Sequence, residues 1–393
     1  MKYYYKQPKY FAEFKCLGGD CPISCCDGWR VDWTENELTN LEQAEMSSHL
    51  YSCIKSSFVK DKNKSIYINL CEDGRCPFHN RENDLCNIQK EIGEKYLGNI
   101  CRIYPRRYYR RDNVIYRSCT SSCPEVVSFL INDKNSVKYD CFLAQERDNI
   151  PLDNCIVDNF EDVKSFTYLK YKPQIFDFYT ELFSVENDIK PLIILGGLAA
   201  KKISNASDNG MADNIPNIMK EYIKQASNPA IIESIGEINA NYRLKYLLVN
   251  NMTYDFFGVK KGDIDISALH DGEKLMEEDY LKGSGNFLKA FETYKYAMNN
   301  ITINLFSDIF LYLIGEKVPF WELYSYFAAC MSVLDVFACA VGLKGDNIRE
   351  NFIKTTSMLS RRISHNVKNM GLVLEYLRNN GITSPAHLAL IVK

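Results

Sequence analysis

The sequence predicts a mainly α chain in two parts: a cysteine-rich, metal-organised N-terminal region with short hairpins, then an all-α helical domain. Three observations predict this. Thirteen of the fifteen cysteines lie before residue 156. The stretch 1–155 is rich in turn formers and carries no long apolar period. From about residue 160 to 393, apolar residues recur with helical spacing over long runs.

In the first part, "WTENELTNLEQAEMSSHL" predicts a helix capped by Thr34, with Glu37 completing a capping box. "SIYINL" (65–70) alternates and is β-branched; the turn "CEDG" and then "RCPF" predict a short hairpin. "NIQKEIGEKYLG" predicts a helix with Ile88, Ile92 and Tyr96 on one face, Asn87 as cap and Gly98 as stop. "RRYYRRDNVIYRSC" predicts a second hairpin turning at Arg111-Asp112-Asn113. In "CPEVVSFLIN", Pro124 suits the first helical position and Glu125 sits beside the positive helix end.

The second part predicts helices over "KPQIFDFYTELF", "IPNIMKEYIKQA", "GNFLKAFETYKYAMNNITINLFSDIFLYLIGE", "PFWELYSYFAACMSVLDVFACAVGL" and "RENFIKTTSMLSRRISHNVKNMGLVLEYLRNN". Breaks such as "KKISNASDNGMADN" separate them, and Gly381 and Pro385 punctuate the end. A bundle or array of helices follows. "PLIILGGLAAKK" (191–202) offers a strand–Gly-Gly–helix reading, but no alternating strand–helix pattern follows it, so a helix is expected and the doubly wound nucleotide-binding fold is not.

Length and charge set limits on function. A chain of 393 residues holds one large or two ordinary domains. A net charge of −3 provides no global drive toward nucleic acid or an acidic membrane. "MKYYYKQPKY" lacks the apolar core of a signal peptide. The most apolar stretch, 327–343, is short for a span and carries Asp335, so a buried helix is expected. These features point to the cytoplasm, where disulfides are disfavoured. Cys330 and Cys339 read as core residues, and so, for want of a spaced partner, do Cys53, Cys71, Cys141 and Cys155.

The remaining thiols form groups. Cys16, Cys21, Cys25 and Cys26 share "FKCLGGDCPISCCDGWR". Cys76 and Cys86 flank the turn-rich "PFHNRENDL", Cys101 follows the next helix, and Cys119 and Cys123 close the region. Thiolates bind soft or borderline metals, and a small domain with a weak core gains folding energy from the metal. Zinc sites favour C-x2-C knuckles with histidine, and no C-x2-C occurs here. Iron–sulfur clusters are held mostly by cysteine at scattered spacings. A [4Fe-4S] cluster is the leading reading, and zinc is the alternative metal. The C-x3-C-x2-C of radical enzymes is absent, because Gly28 stands where its third cysteine belongs.

"FKCLGGDCPISCCDGWRV", "CPFHNRENDLCNIQKEIGEKYL", "CRIYPRRYY" and "SCTSSCPEVV", in this order, resemble the flagellin lysine N-methylase family and its wider zinc- or iron-chelating relatives. The resemblance covers roughly residues 10–127, and "LSRRISHN" (359–366) resembles a late block. It implies S-adenosylmethionine as methyl donor, flagellin as protein partner and a [4Fe-4S] cluster. It also implies that Cys21, Cys25, Cys26, Cys76, Cys86 and Cys101 match the cluster motif, with Cys16, Cys119 and Cys123 as structural members. Spacing does not select four ligands from the six. A non-enzymatic chelating module with a partner-docking helical domain is the competing class.

Arginine is dense in "CRIYPRRYYRRDNVIYR". The plain reading is a solvated hairpin face; one functional reading is that Arg102 or Arg106, beside Cys101, grips a cofactor carboxylate, and another is that the interleaved basic and aromatic residues bind nucleic acid. His365 reads as a helix-start residue capped by Ser364 or as a core residue, with a cofactor-facing role open to it and to Arg361. Trp29 reads as a lid over the metal loop, and His79 as a surface-loop residue.

Overall fold

The computed structural model describes residues 2–145, 155–158, 166–259, 266–271, 274–312 and 318–393. The junction expected near 155–160 and the end of the long run at 313–316 therefore fall mostly outside the described residues. Seventeen α-helices occur among the described residues, and the chain is mainly helical with some sheet.

The N-terminal region holds more sheet than two hairpins. Lys2–Pro8 forms a strand whose alternate residues Tyr3, Tyr5 and Gln7 are buried. It pairs parallel to Val114–Cys119 and antiparallel to Tyr139–Gln145, with Tyr5 opposite Ile115 and Phe142. Arg106–Arg111 pairs antiparallel with Val114–Cys119 across a turn in which Asp112 takes φ 52°. Ile156–Asp158 extends the same sheet to five strands. Local pattern made the Arg-rich hairpin legible. The parallel partner 110 residues away carries no local signal.

Ile66–Ile68 does not pair with "RCPF". It is the middle strand of a three-stranded sheet, between Asp32–Trp33 and Phe58–Lys60. The turn at "CEDG" does close, by Cys71 N–H to Arg75 O and Gly74 N–H to Cys71 O, both at 2.8 Å, but it leads into a loop. The expected 34–50 helix divides into Glu35–Glu42, with the full Thr34–Glu37 capping box, and Ser48–Ser57, capped by Ser47. Asn87–Ile92 stops early, at Gly93, whose φ of 97° a side-chain-bearing residue rarely adopts. Pro124–Asn132 starts on its proline.

The helices surround Phe320–Lys344, which is long and apolar enough to cross a membrane by composition, yet 89% of its apolar window is buried inside the protein. Ile189–Asp208, Glu277–Ala290, Ile348–Ser364 and Pro385–Val392 pack on it. "PLIILGGLAAKK" lies wholly within Ile189–Asp208, a single helix. At Gly283 and Gly342 two helices approach so closely that a Cβ on either would meet backbone of the other. The run from 285 to 316 divides: Glu277–Ala290, Ala297–Ser307, then a π-helical Asp308–Tyr312.

There are two apolar cores. The large one joins the five-stranded sheet to the helices, with Tyr5, Tyr10, Val126, Phe176, Phe306 and Phe327 among its members. The small one, with Trp33, Leu41, Ile54, Ile68, Phe78 and Ile88, sits under the cysteine loops. Cys76, Cys86 and Cys101 pack at its edge.

Candidate functional site

Turns rather than long elements present the thiols. Residues 16–28 form a loop tightened by a 3-10 turn at Gly18–Asp20, where Gly18 takes φ 61°. Ser24 Oγ accepts from Cys26 N–H at 3.1 Å. Cys26 O accepts from Cys76 N–H at 2.8 Å, fixing the second cysteine segment to the first. Cys86 precedes the short helix Asn87–Ile92, and Cys101 lies in Asn99–Ile103.

One cavity of about 860 Å³ is lined by Cys16, Cys21, Cys25, Cys26, Cys86, Cys101 and Cys123, among others. Cys25, Cys26, Cys76, Cys86 and Cys101 are near enough to influence one another's ionisation. Cys21 is near enough to Cys25 and Cys16 for their charges to raise its thiol further. All six motif cysteines therefore belong to one neighbourhood. Burial pushes the Cys76 thiol up to about 12 and raises Cys86 and Cys101. Cys25 goes the other way, to about 7, because the Cys26 thiol hydrogen-bonds to it and the Arg361 guanidinium adds attraction.

The donors suit a soft or borderline metal group in chemistry. Among the described residues, however, no three His, Cys, Asp or Glu side chains converge to hold an ion. A lone zinc draws its sulfurs to about 2.3 Å from one centre. The thiols that line the cavity do not converge on such a centre.

Arg361, on the last turn of Ile348–Ser364, reaches across to the loop and donates to Asp27 O at 2.8 Å and Ser24 O at 3.3 Å. Cys25 lies between those carbonyls. Trp29 donates from Nε1 to Cys25 O at 2.6 Å and packs on Tyr104 and His365. Beneath them runs a polar seam. His365 Nε2 is 2.9 Å from Ser122 Oγ, and Arg107 donates to Ser364 O at 2.9 Å. Asn304 donates to Ser121 Oγ at 2.7 Å and accepts from Tyr10 OH at 2.5 Å. Buried Asp308 lies 4.0 Å from Arg107. Burial raises its acid group to about 6, against the pull of Arg107.

Several sequence expectations change here. His365 ends a helix rather than starting one, and Asn366 caps the next. Burial, then Arg107 and Arg361, hold its imidazole well below its ordinary value, so it is neutral. The arginine hairpin is not a solvated face. Arg111 is 5% exposed and donates to Leu169 O, Arg107 bonds to Ser364, and Arg117 lies over the Tyr5 ring. Cys71 and Cys141 are exposed rather than core, whereas Cys119, Cys123, Cys330 and Cys339 are buried. His79 is no surface residue: its side chain is 1% exposed, and it lines the cavity.

Arg102 and Arg106 both line the cavity beside Cys101. Arg102 is exposed and donates to Asn99 Oδ1 at 2.6 Å. Arg106 is half-buried over the Phe14 ring. Glu125, named from sequence only for its place at a helix start, also lines the cavity. Its carboxylate has no hydrogen bond or ion pair among the described residues, and burial alone raises its acid group. Its position directly after Cys123-Pro124 was the one signal available.

The chain is similar to several known proteins. The chain is 28% identical over 134 residues to the flagellar biosynthetic protein FliU of Salmonella muenchen and to the lysine-N-methylase of Salmonella typhimurium. That stretch is 33% of this chain, 79% of FliU and 33% of the methylase. No solved structure matches. The family model of the FliB lysine N-methylase C-terminal domain matches residues 190–391, from the first long helix through Arg361 to the last. With more than half its length matched, including the helix that grips the cysteine loop, this chain belongs to the FliB lysine N-methylase family.

Proposed function

We propose that this chain is a cytoplasmic, S-adenosylmethionine-dependent protein-lysine N-methyltransferase acting on flagellin. Four of Cys21, Cys25, Cys26, Cys76, Cys86 and Cys101 hold a [4Fe-4S] cluster in it. The observation that carries this reading is the cavity shared by five of the six motif thiols, Cys21, Cys25, Cys26, Cys86 and Cys101, with Arg102, Arg106 and Glu125, while Arg361 of the family-matched region closes the thiol loop. The relatives' names, lysine-N-methylase and a flagellar biosynthetic protein, support the reaction and the substrate.

Methyl transfer to lysine is an in-line displacement. The amine must be neutral, and the sulfonium methyl must point at its lone pair at near-attack distance. Arg102 or Arg106 binds the donor's carboxylate. Glu125 receives the substrate ammonium, since no cation among the described residues neutralises it, and takes the proton before attack. The amine nitrogen then bonds to the methyl carbon as the carbon–sulfur bond breaks, leaving a neutral thioether. When bound, the cluster supplies either an open iron position for the donor's amino and carboxylate groups or a rigid wall for the pocket. Tyr104, packed by Trp29 and lining the cavity, gives the sulfonium an aromatic neighbour.

The test is purification without oxygen, iron and sulfide analysis, and transfer of labelled methyl to flagellin, read by mass spectrometry at lysines. The expected result is about four irons and four sulfides per chain with lysine labelling. A fully loaded preparation that labels no lysine ends the enzymatic reading.

A further inference from the structure

His79 is the one histidine between Cys76 and Cys86, and its surroundings are unlike those of a structural histidine. The side chain is 1% exposed, yet Nδ1 has no hydrogen-bond partner among the described residues, and Asp84 approaches Nε2 without completing a hydrogen bond. A buried polar group left unpaired is unfavourable and requires an explanation. A structural histidine would be satisfied by protein groups; this one lines the thiol cavity. Its backbone N–H donates to Cys76 O at 3.0 Å, and it bridges to Cys86 as an antiparallel pair. Residues directly opposite in such a pair present their side chains on the same face. His79 and Cys86 thus face the same side. Asp84 Oδ1 approaches Nε2 to 3.1 Å, and Asp84 is held in the left-handed region at φ 54° within the turn closed by Asn80 N–H to Leu85 O. A carboxylate at one ring nitrogen is the partner that metal-binding histidines commonly have, because it fixes the ring and leaves the other nitrogen's lone pair for the metal.

We infer that His79 is a nitrogen donor of the thiol cage: Nδ1 binds a metal of the held group while Asp84 orients the ring through Nε2. This rests on the reading that the cysteines hold a metal group. It makes the cage a mixed sulfur–nitrogen site. A neutral imidazole in place of a thiolate lowers the negative charge of a cluster and raises its reduction potential.

The experiment uses the full chain, purified without oxygen and loaded with iron and sulfide. Pulsed electron paramagnetic resonance of the reduced cluster should show nitrogen coupling that changes when histidine is 15N-labelled. The coupling should vanish in His79→Cys, which keeps a donor in place and so guards against loss of the fold. The potential of that variant should fall. Asp84→Asn should weaken metal retention by about 10–100-fold while the coupling persists. A cluster with no histidine coupling overturns the inference and leaves the cluster reading standing. A protein that binds neither iron nor zinc overturns both. If the cage takes zinc, cobalt(II) in its place answers the question, because absorption by four sulfurs differs from absorption by three sulfurs and a nitrogen. Four sulfurs would reject His79.

Discussion

Two buried polar sites of this protein invite comparison. One is the cysteine cavity. The other lies along the middle of the central helix Phe320–Lys344, where Asp335 meets two lysines. Lys245 Nζ is 2.5 Å from Asp335 Oδ2, and Lys190 Nζ is 2.9 Å from Oδ1. Tyr280 OH also donates to Asp335, and the Val392 and Lys393 carbonyls accept from Lys245 and Lys190. Here the buried polar groups are paired by other groups of the chain. In the cavity pairing is incomplete: His79 Nδ1 and the Glu125 carboxylate have no hydrogen-bond partner among the described residues, and Arg361 acts on the Cys25 and Cys21 thiols from a distance. A polar cluster satisfied from within holds elements together. One left unsatisfied around a space is built to be completed by something else.

The comparison can be broken in order of expected effect. Glu125→Gln should lower methyl transfer by on the order of 100- to 10,000-fold, as loss of a general base does, while the melting temperature barely moves. A rate within a factor of two of the parent would reject Glu125 as the ammonium acceptor.

Asp335→Asn should do the reverse. It leaves two ammonium groups on one neutral amide, a loss of about 3–5 kcal/mol in denaturant unfolding, with metal content unchanged. The sign with pH follows from the shift. Burial opposes ionisation of Asp335, but Lys190 and Lys245 outweigh it and lower the carboxyl to about 2 from an ordinary 3.8. Its stabilisation is therefore present above about pH 4 and lost as pH falls toward 2. A parent and variant equally stable at pH 7 would contradict this.

Arg361→Ala removes the bonds to Ser24 O and Asp27 O that tie helix to loop, and should cost roughly 2 kcal/mol. The sharper readout is local. Loss of the cation should raise the Cys25 thiol above about 7, slowing its alkylation at pH 7. Arg361→Lys should restore the charge effect but not the two-carbonyl grip. Unchanged alkylation in the alanine variant would detach Arg361 from the site.

A change of the opposite sign is expected at Asp308, where the gain from removing a buried charge is reduced by the lost attraction to Arg107. Its acid group is raised to about 6 from 3.8. The native state keeps the proton longer, so this residue removes stability as pH rises from about 4 to 6. Asp308→Asn should match the parent at pH 4 and exceed it above pH 6, by no more than roughly 3 kcal/mol. A variant less stable than the parent at pH 8 would mean that the attraction between Asp308 and Arg107 is the larger effect.

The legible parts were the local ones. Thr34 and Glu37 are three residues apart, so their capping box could be read directly. So could Pro124 at a helix start and the hairpin across Asp112-Asn113. The readings that failed depended on distant partners. "SIYINL" is a strand, but its neighbours come from residues 32–33 and 58–60. His79 looked like a loop residue because its neighbours in sequence are polar; the small core beneath it and the turn around it bury it.

By itself the sequence determined the helical second half, the buried central helix and the crowding of thiols into one region. Each follows from spacing within a turn or two, or from composition along the chain. Only the tertiary structure decided that Lys2–Pro8 lies parallel to Val114–Cys119, that Arg361 closes the loop around Cys25, and that Glu125 and His79 face the same cavity as the cysteines. Those approaches are set by which apolar faces bury one another across more than a hundred residues, and no local period encodes that choice.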